Sequence, residues 1–199
     1  MAWIVKIGTL STANLTEEER KNNATEFYNF FSQLGYTLES ICGMLGNIEQ
    51  ESAINSGMKQ SEDSSSGWGL IQWTPSTVLT DWCNVYGYLW YEGETQCERI
   101  RCEGTGEKNC SGYFFPSVSK PEFSYSWEEF TNLKDVEVAT LAYLYERERA
   151  GIESVSNRLA YAYKWYEFLS GKPVPPKPPT PTKRKKLKSC FMLRNINFY

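Results

Sequence analysis

The sequence predicts a mainly α fold of the α+β class: a helical domain with a small β-hairpin, followed by a proline-rich linker and a short basic tail. Three observations carry that prediction. Apolar residues recur at helical spacing through most of the first 170 positions, a glycine-punctuated apolar stretch interrupts them at 67-GWGLIQWTP-75, and the composition changes abruptly at Gly171. A chain of 199 residues, 41% hydrophobic, suffices for one well-formed core and a tail rather than two large domains. The expected organisation is a domain over 1–170 with a cysteine-containing insertion at about 83–116, a linker over 171–182 and a tail over 183–199.

Each element has its own signal. Residues 2–7 read as a short strand or an extended lead-in. Thr16 precedes Glu17, Glu18 and Glu19, a cap with acids at the positive end of a helix. Ala24, Phe27, Tyr28, Phe31 and Leu34 continue that helix to Gly35. Thr37 caps a second helix with the stripe Leu38, Ile41, Cys42, Leu45 and Ile48, stopped by 55-NSG-57. A polar, turn-rich run from Lys59 to Ser66 leads into 67–75, which reads as a hairpin because Gly67 and Gly69 allow positive φ or close backbone approach. Helical spacing returns over 76–92 in Val78, Leu79, Trp82, Val85 and Tyr86, and the stretch from Glu92 to Pro116 reads mostly as loop. A further helix runs over 135–151 with Val138, Leu141, Ala142 and Tyr145 on one face, and a last one from about Ile152 to Leu169. Beyond it, 171-GKPVPPKPPTPT-182 has the composition of a stiff polyproline II spacer, and 183-KRKKLK-188 is a basic run.

Composition removes several kinds of chemistry. With no histidine, the usual neutral-pH base and the commonest metal ligand are gone, so acid–base work falls to carboxylates. No cofactor and no metal are expected. The net charge of −3 divides into −11 over residues 1–171 and +8 beyond. A body this acidic is a poor nucleic-acid binder, whereas the basic end suggests tethering to an acidic protein, an anionic wall polymer or nucleic acid. No run is long and apolar enough for a membrane span, and no basic-fronted leader is visible, so a soluble chain is expected. Cys42 reads as a core thiol. Cys83, Cys97, Cys102 and Cys110 lack the paired C-x2-C knuckles of zinc ribbons, which favours disulfides or free thiols over zinc.

The stretch 46-GNIEQESAIN-55 poses a choice between two carboxylates. At about 100° per residue, Glu49 falls roughly 40° from the stripe centred near Leu45 and Glu51 roughly 120° from it, which makes Glu49 the one nearer the core. The order of segments favours Glu51. The segments 41-ICGMLGNIEQESAINSG-57, 67-GWGLIQWTP-75 and 143-YLYERE-148 resemble the three signature segments of the phage tail lysozyme family, within the lysozyme and lytic transglycosylase superfamily. The resemblance covers roughly residues 20–168.

This resemblance implies a lysozyme-like domain that cleaves peptidoglycan glycan strands. The family's Glu-Ser acid maps onto Glu51, with Gln72 and Trp73 lining the cleft and Tyr145 and Glu146 approaching from a third element. Such an acid must stay protonated near neutral pH, which partial burial favours. Glu62 and Asp63, in the polar loop, are candidates for a second carboxylate, as is Glu146. The chain departs from the family at Glu148, where proline often stands, and at Ser56; both departures read as changes of loop geometry. The implied role is a virion-borne tail lysin acting on the host wall, with other phage tail proteins as candidate partners of the C-terminal tail. The alternatives are a lytic transglycosylase forming 1,6-anhydro products and a non-catalytic wall-binding module.

Overall fold

A computed structural model describes residues 2–110, 114, 120–149 and 153–173. The linker beyond Pro173, the basic tail over 183–199 and Cys190 lie outside the described residues. Among those described, the chain forms helices α1 (Glu17–Gln33), α2 (Leu38–Ser52), α3 (Thr77–Tyr86), α4 (Gly93–Thr105), α5 (Trp127–Thr131), α6 (Val136–Tyr143) and α7 (Val155–Ser170). Its sheet has two short parallel strands, β1 (Gly8–Thr9) and β2 (Met58–Lys59). The fold is mainly helical with a small β component, as a lysozyme-like α+β domain requires.

The caps lie where the residue types place them. Thr16 closes a capping box with Glu19 at the start of α1, and the Thr37 hydroxyl accepts from the Ser40 N–H to start α2. Helix α2 is the axle of the domain, buried along nearly its whole length and packed against α6 and α7. Two glycines make that packing possible. A Cβ on Gly43 would lie 2.7 Å from the Ala139 backbone, and one on Gly46 would lie 2.5 Å from the Arg158 carbonyl. Asn47, between them, donates to the Gly43 and Thr140 carbonyls. The axle is thus fixed on both sides just before it reaches its last turn.

The lead-in over 2–7 is held by two buried amides rather than by a strand ladder. Asn23 exchanges hydrogen bonds with the backbone of Ile4, and Asn55 does the same with Lys6. Each amide supplies one donor and one acceptor, so it can stand in for a neighbouring strand. The expected hairpin is present in minimal form, with Trp68 and Trp73 exchanging backbone hydrogen bonds of 3.2 and 3.0 Å.

Two expectations are corrected. The stretch from Glu92 to Pro116 is not mostly loop: α4 occupies Gly93–Thr105 and packs on α1. Its buried set includes the polar side chains Gln96, Arg99 and Glu103, so it has no clean apolar stripe. The helix expected over 135–151 is not continuous either. It is α-helical only to Tyr143 and then widens into a π-helical turn, Leu144–Glu148, closed by Arg149 N–H donating to the Leu144 carbonyl at 2.8 Å. The five described cysteines are buried and unpaired, and among the described residues no group of three or more His, Cys, Asp or Glu could hold a metal. No described helix is long and apolar enough to cross a membrane.

Candidate active site

The last turn of α2 opens onto a cleft of about 960 Å³ lined by Glu51, Gln72, Trp73, Arg147, Glu148 and Arg158, among others. That volume is at the upper end of what small-ligand sites occupy. Ser52, next to Glu51, turns the other way and donates to the Leu70 carbonyl at 2.9 Å, which ties the end of α2 to the turn that carries Gln72. The same turn is gripped from behind by Gln96 of α4. Its side-chain oxygen accepts from the Leu70 N–H at 2.7 Å while its amide donates to the Ser56 and Trp90 carbonyls. Gly69, at φ +82, lies against that amide, where an added Cβ would meet Gln96 at 2.8 Å.

Backbone strain gathers around the cleft. Ala53 and Ile54, which end α2, both have positive φ, as do Gln72, Arg149 and Ser154. For a β-branched residue such as Ile54 that conformation is unusual, and it costs of the order of 1–3 kcal/mol, so the surrounding hydrogen bonds must impose it.

Glu51 is ion-paired. Arg158, buried on α7, donates from Nη2 to Glu51 Oε1 at 2.5 Å. The other arms of the guanidinium are occupied by Asn47 Oδ1 at 3.0 Å and the Glu153 carbonyl at 2.9 Å. Because a guanidinium has donors only, Glu51 Oε1 acts purely as an acceptor in this contact.

Glu49 lies on the opposite side. It is 7% exposed and faces Arg20 of α1 at 3.4 Å and Lys164 of α7 at 3.8 Å. Burial raises its carboxyl above the usual range, against the pull of Lys164 and Arg20. It does not line the cleft. The wheel thus indicates depth of burial, and the order of segments indicates which carboxylate faces open space.

The other expected site residues separate into two groups. Gln72 lines the cleft, with its amide donating to the Gly69 carbonyl at 2.8 Å. Trp73 forms a buried wall and donates from Nε1 to Glu103 Oε1 at 2.7 Å. Glu62, Asp63, Tyr145 and Glu146 are not among the cleft-lining residues. Glu62 is exposed and pairs with Lys59 at 2.7 Å. Asp63 accepts from the Ser65 N–H, which lowers its carboxyl below the usual range. Tyr145 stacks on Phe123 and donates to Glu153 at 3.1 Å, while Glu146 is fully buried and accepts from the Tyr125 N–H at 2.7 Å.

The reason is the π-turn. A π-helical turn holds an extra residue, so side chains past its start are rotated away from where a regular helix would put them. The turn brings Arg147 and Glu148 into the cleft in place of Tyr145 and Glu146. Arg147 then forms a two-pronged salt bridge with Glu103 of α4, at 3.0 Å from Nε and 2.8 Å from Nη2. Glu148, read from sequence only as a loop change, faces Glu51. Its desolvation, with the charge of Glu51 adding to it and Arg147 opposing, pushes its carboxyl up to about 8. The only sequence signal for it was the acid itself, standing where a proline is common.

Comparison with known proteins gives a family match and a relative. Residues 22–169 match the family model described as phage tail lysozyme. Over 163 residues the chain is 31% identical to morphogenesis protein 1 of Bacillus phage B103, covering 80% of this chain and 42% of that protein. The chain therefore spans less than half the length of this curated relative.

Proposed function

Because the chain belongs to the phage tail lysozyme family, we propose that it cleaves the glycan strands of bacterial peptidoglycan in the cleft at the end of α2, as a muramidase-type glycosidase that depends on Glu51. One observation carries this reading: a carboxylate at the end of a buried helix faces an open cleft while Ser52 fastens that same turn to the Gly69–Gln72 backbone. Glycosidic cleavage needs carboxyl groups held at fixed positions on either side of the scissile bond. Gln72 offers the sugar an amide, and Trp73 gives the cleft a rigid wall. The relative's name, a morphogenesis protein of a phage, supports a place in the virion, with the activity used on the host wall during infection. Residues 183–199, basic in sequence, would then serve as a tether to other tail components.

Incubating purified peptidoglycan with the chain and analysing the released fragments by mass tests the reading. Soluble muropeptides with reducing ends are expected from wild type and none from Glu51→Gln. Fragments with 1,6-anhydro ends would reassign the chain to lytic transglycosylases. Release by neither protein would leave only a wall-binding module, and equal release by both would overturn the dependence on Glu51.

A further inference from the structure

We propose that a pocket beside α3 is a second carbohydrate site, which holds the glycan strand where it leaves the cleft; this deepens the glycan-cleavage reading above and rests on it. The pocket, of about 440 Å³, lies between α3 and the Lys108–Asn109 turn that follows α4. That volume is within the range of small-ligand sites. The pocket adjoins the cleft, because Val78 lines both, while Pro75 lines the cleft and Thr77 the pocket. A polymer leaving the cleft over the first turn of α3 enters the pocket directly.

Two observations define the chemistry of what the pocket holds. The first is an aromatic wall. Trp82, Tyr86 and Tyr88 pack together with ring centroids 5.3, 5.4 and 6.1 Å apart, and Val85 beside them is 74% exposed. Trp82 is buried, whereas Tyr86 keeps part of its surface in solvent, and such a rigid apolar face suits the C–H face of a sugar ring. The second is a polar rim. Thr77, Asp81 and Asn109 line the pocket, are exposed, and make no side-chain hydrogen bond or ion pair with another described residue. A hydroxyl, a carboxylate and an amide together supply donors and acceptors for sugar hydroxyls and an N-acetyl group.

The cations at the pocket are committed elsewhere. Lys108 Nζ is salt-bridged to Glu98 at 2.8 Å and donates to the Tyr88 hydroxyl at 3.2 Å, and Arg99 pairs with Glu103 at 3.0 Å. With Asp81 on the rim, the pocket favours a neutral, hydroxyl-rich ligand over an anionic wall polymer. The turn that carries Asn109 is strained. Lys108 and Asn109 have φ of +48 and +52, uncommon for residues other than glycine, and their surroundings must impose it. Trp82 Nε1 donates to the Lys108 carbonyl at 3.3 Å, which ties the rim to the aromatic wall.

The test compares insoluble peptidoglycan, stripped of anionic polymers with hydrofluoric acid, with the shortest soluble muropeptide that wild type cleaves. Tyr86→Ala removes an aromatic face, and Val85→Arg fills the pocket from an exposed position. Both are expected to raise KM on the polymer about three- to tenfold, with kcat, and kcat/KM on the short substrate, within about twofold of wild type. An unchanged polymer KM in either folded variant overturns the proposal. So do equal losses on the two substrates, which would mark the pocket as structural. Should Tyr86→Ala not fold, Val85→Arg decides alone. A wild type that cleaves neither substrate overturns the glycan-cleavage reading, and sedimentation with the stripped polymer then decides this one. Either variant should then be retained about three- to tenfold more weakly than wild type, and equal retention overturns the proposal. Retention seen only before stripping would assign the pocket to an anionic polymer and overturn it as well.

Discussion

At the end of α2, Glu49 and Glu51 both meet cations, but only Glu51 meets open space. Glu49 is sealed between α1 and α7 with Arg20 and Lys164, and Glu51 is pinned by Arg158 at the rim of the cleft. Burial and pairing alone would rank Glu49 first as a functional carboxyl, since it is the more buried and its carboxyl is raised. What separates them is access, together with a second carboxyl across the gap. Glu51 has Glu148 beside it, whereas Glu49 lies between the cations Arg20 and Lys164, with the charge of Glu17 also acting on it.

The largest expected effect sharpens that contrast directly. Glu51→Gln should lower peptidoglycan turnover by about a thousandfold or more while the chain still folds, destabilised by the loss of the Arg158 pair. Loss of activity together with loss of the folded signal in circular dichroism would turn Glu51 into a structural residue. Arg158→Met comes next. It leaves Asn47 Oδ1 and Glu51 without their donors, and breaking a pair with one fully buried partner should cost about 3 kcal/mol, measured by urea unfolding.

A third prediction concerns Glu148 and pH. Its carboxyl is raised in the folded chain from an ordinary 4.5 to about 8, so the folded state holds a proton that the unfolded chain releases. Its stabilising contribution is present in full below about pH 4.5 and is lost as pH rises through about 8. Glu148→Gln carries no such penalty. Its melting temperature relative to wild type should therefore climb between pH 5 and pH 8, and a difference that is constant with pH would contradict the buried, protonated state. Glu49→Ala should act on stability alone. Expected are about 2 kcal/mol of destabilisation from the lost packing and the weakened pairing of Arg20 and Lys164, which both keep Glu17, with activity per folded molecule within about threefold of wild type.

Much of this was legible because it is local. The caps at Thr16 and Thr37 need only a hydroxyl before an amphipathic run, and both are observed. Gly43 and Gly46 lie on a helix whose apolar stripe already announced burial. What sequence could not give depends on distant partners. Helix α4 buries Gln96, Arg99 and Glu103 against Leu70, Trp73 and Arg147, so a search for apolar periodicity passes over it. The π-turn is the clearest case. Nothing in 143-YLYERE-148 distinguishes it from a regular helix, yet its extra residue decides whether Glu146 or Glu148 reaches the cleft.

The smallest expected effect probes the joint between the two sides of α2's last turn. The Ser52 hydroxyl donates to the Leu70 carbonyl at 2.9 Å and lies 3.2 Å from the Ile48 carbonyl, its own helix's acceptor. Ser52→Ala removes one neutral hydrogen bond from a buried site and should cost about 1 kcal/mol. The Leu70 backbone keeps its contact from Gln96, so the turn should stay folded. Its position relative to Glu51 should loosen, however, because among the described residues no other hydrogen bond of Ser52 or Glu51 crosses from that end of α2 to the Gly69–Gln72 turn. Activity should therefore fall several-fold more than the stability change accounts for, read as kcat/KM at a temperature where both proteins are fully folded. If activity follows stability alone, the serine beside Glu51 is a helix-end hydrogen bond and nothing more, and the placing of Glu51 against Gln72 must come from Gln96 and the cleft walls.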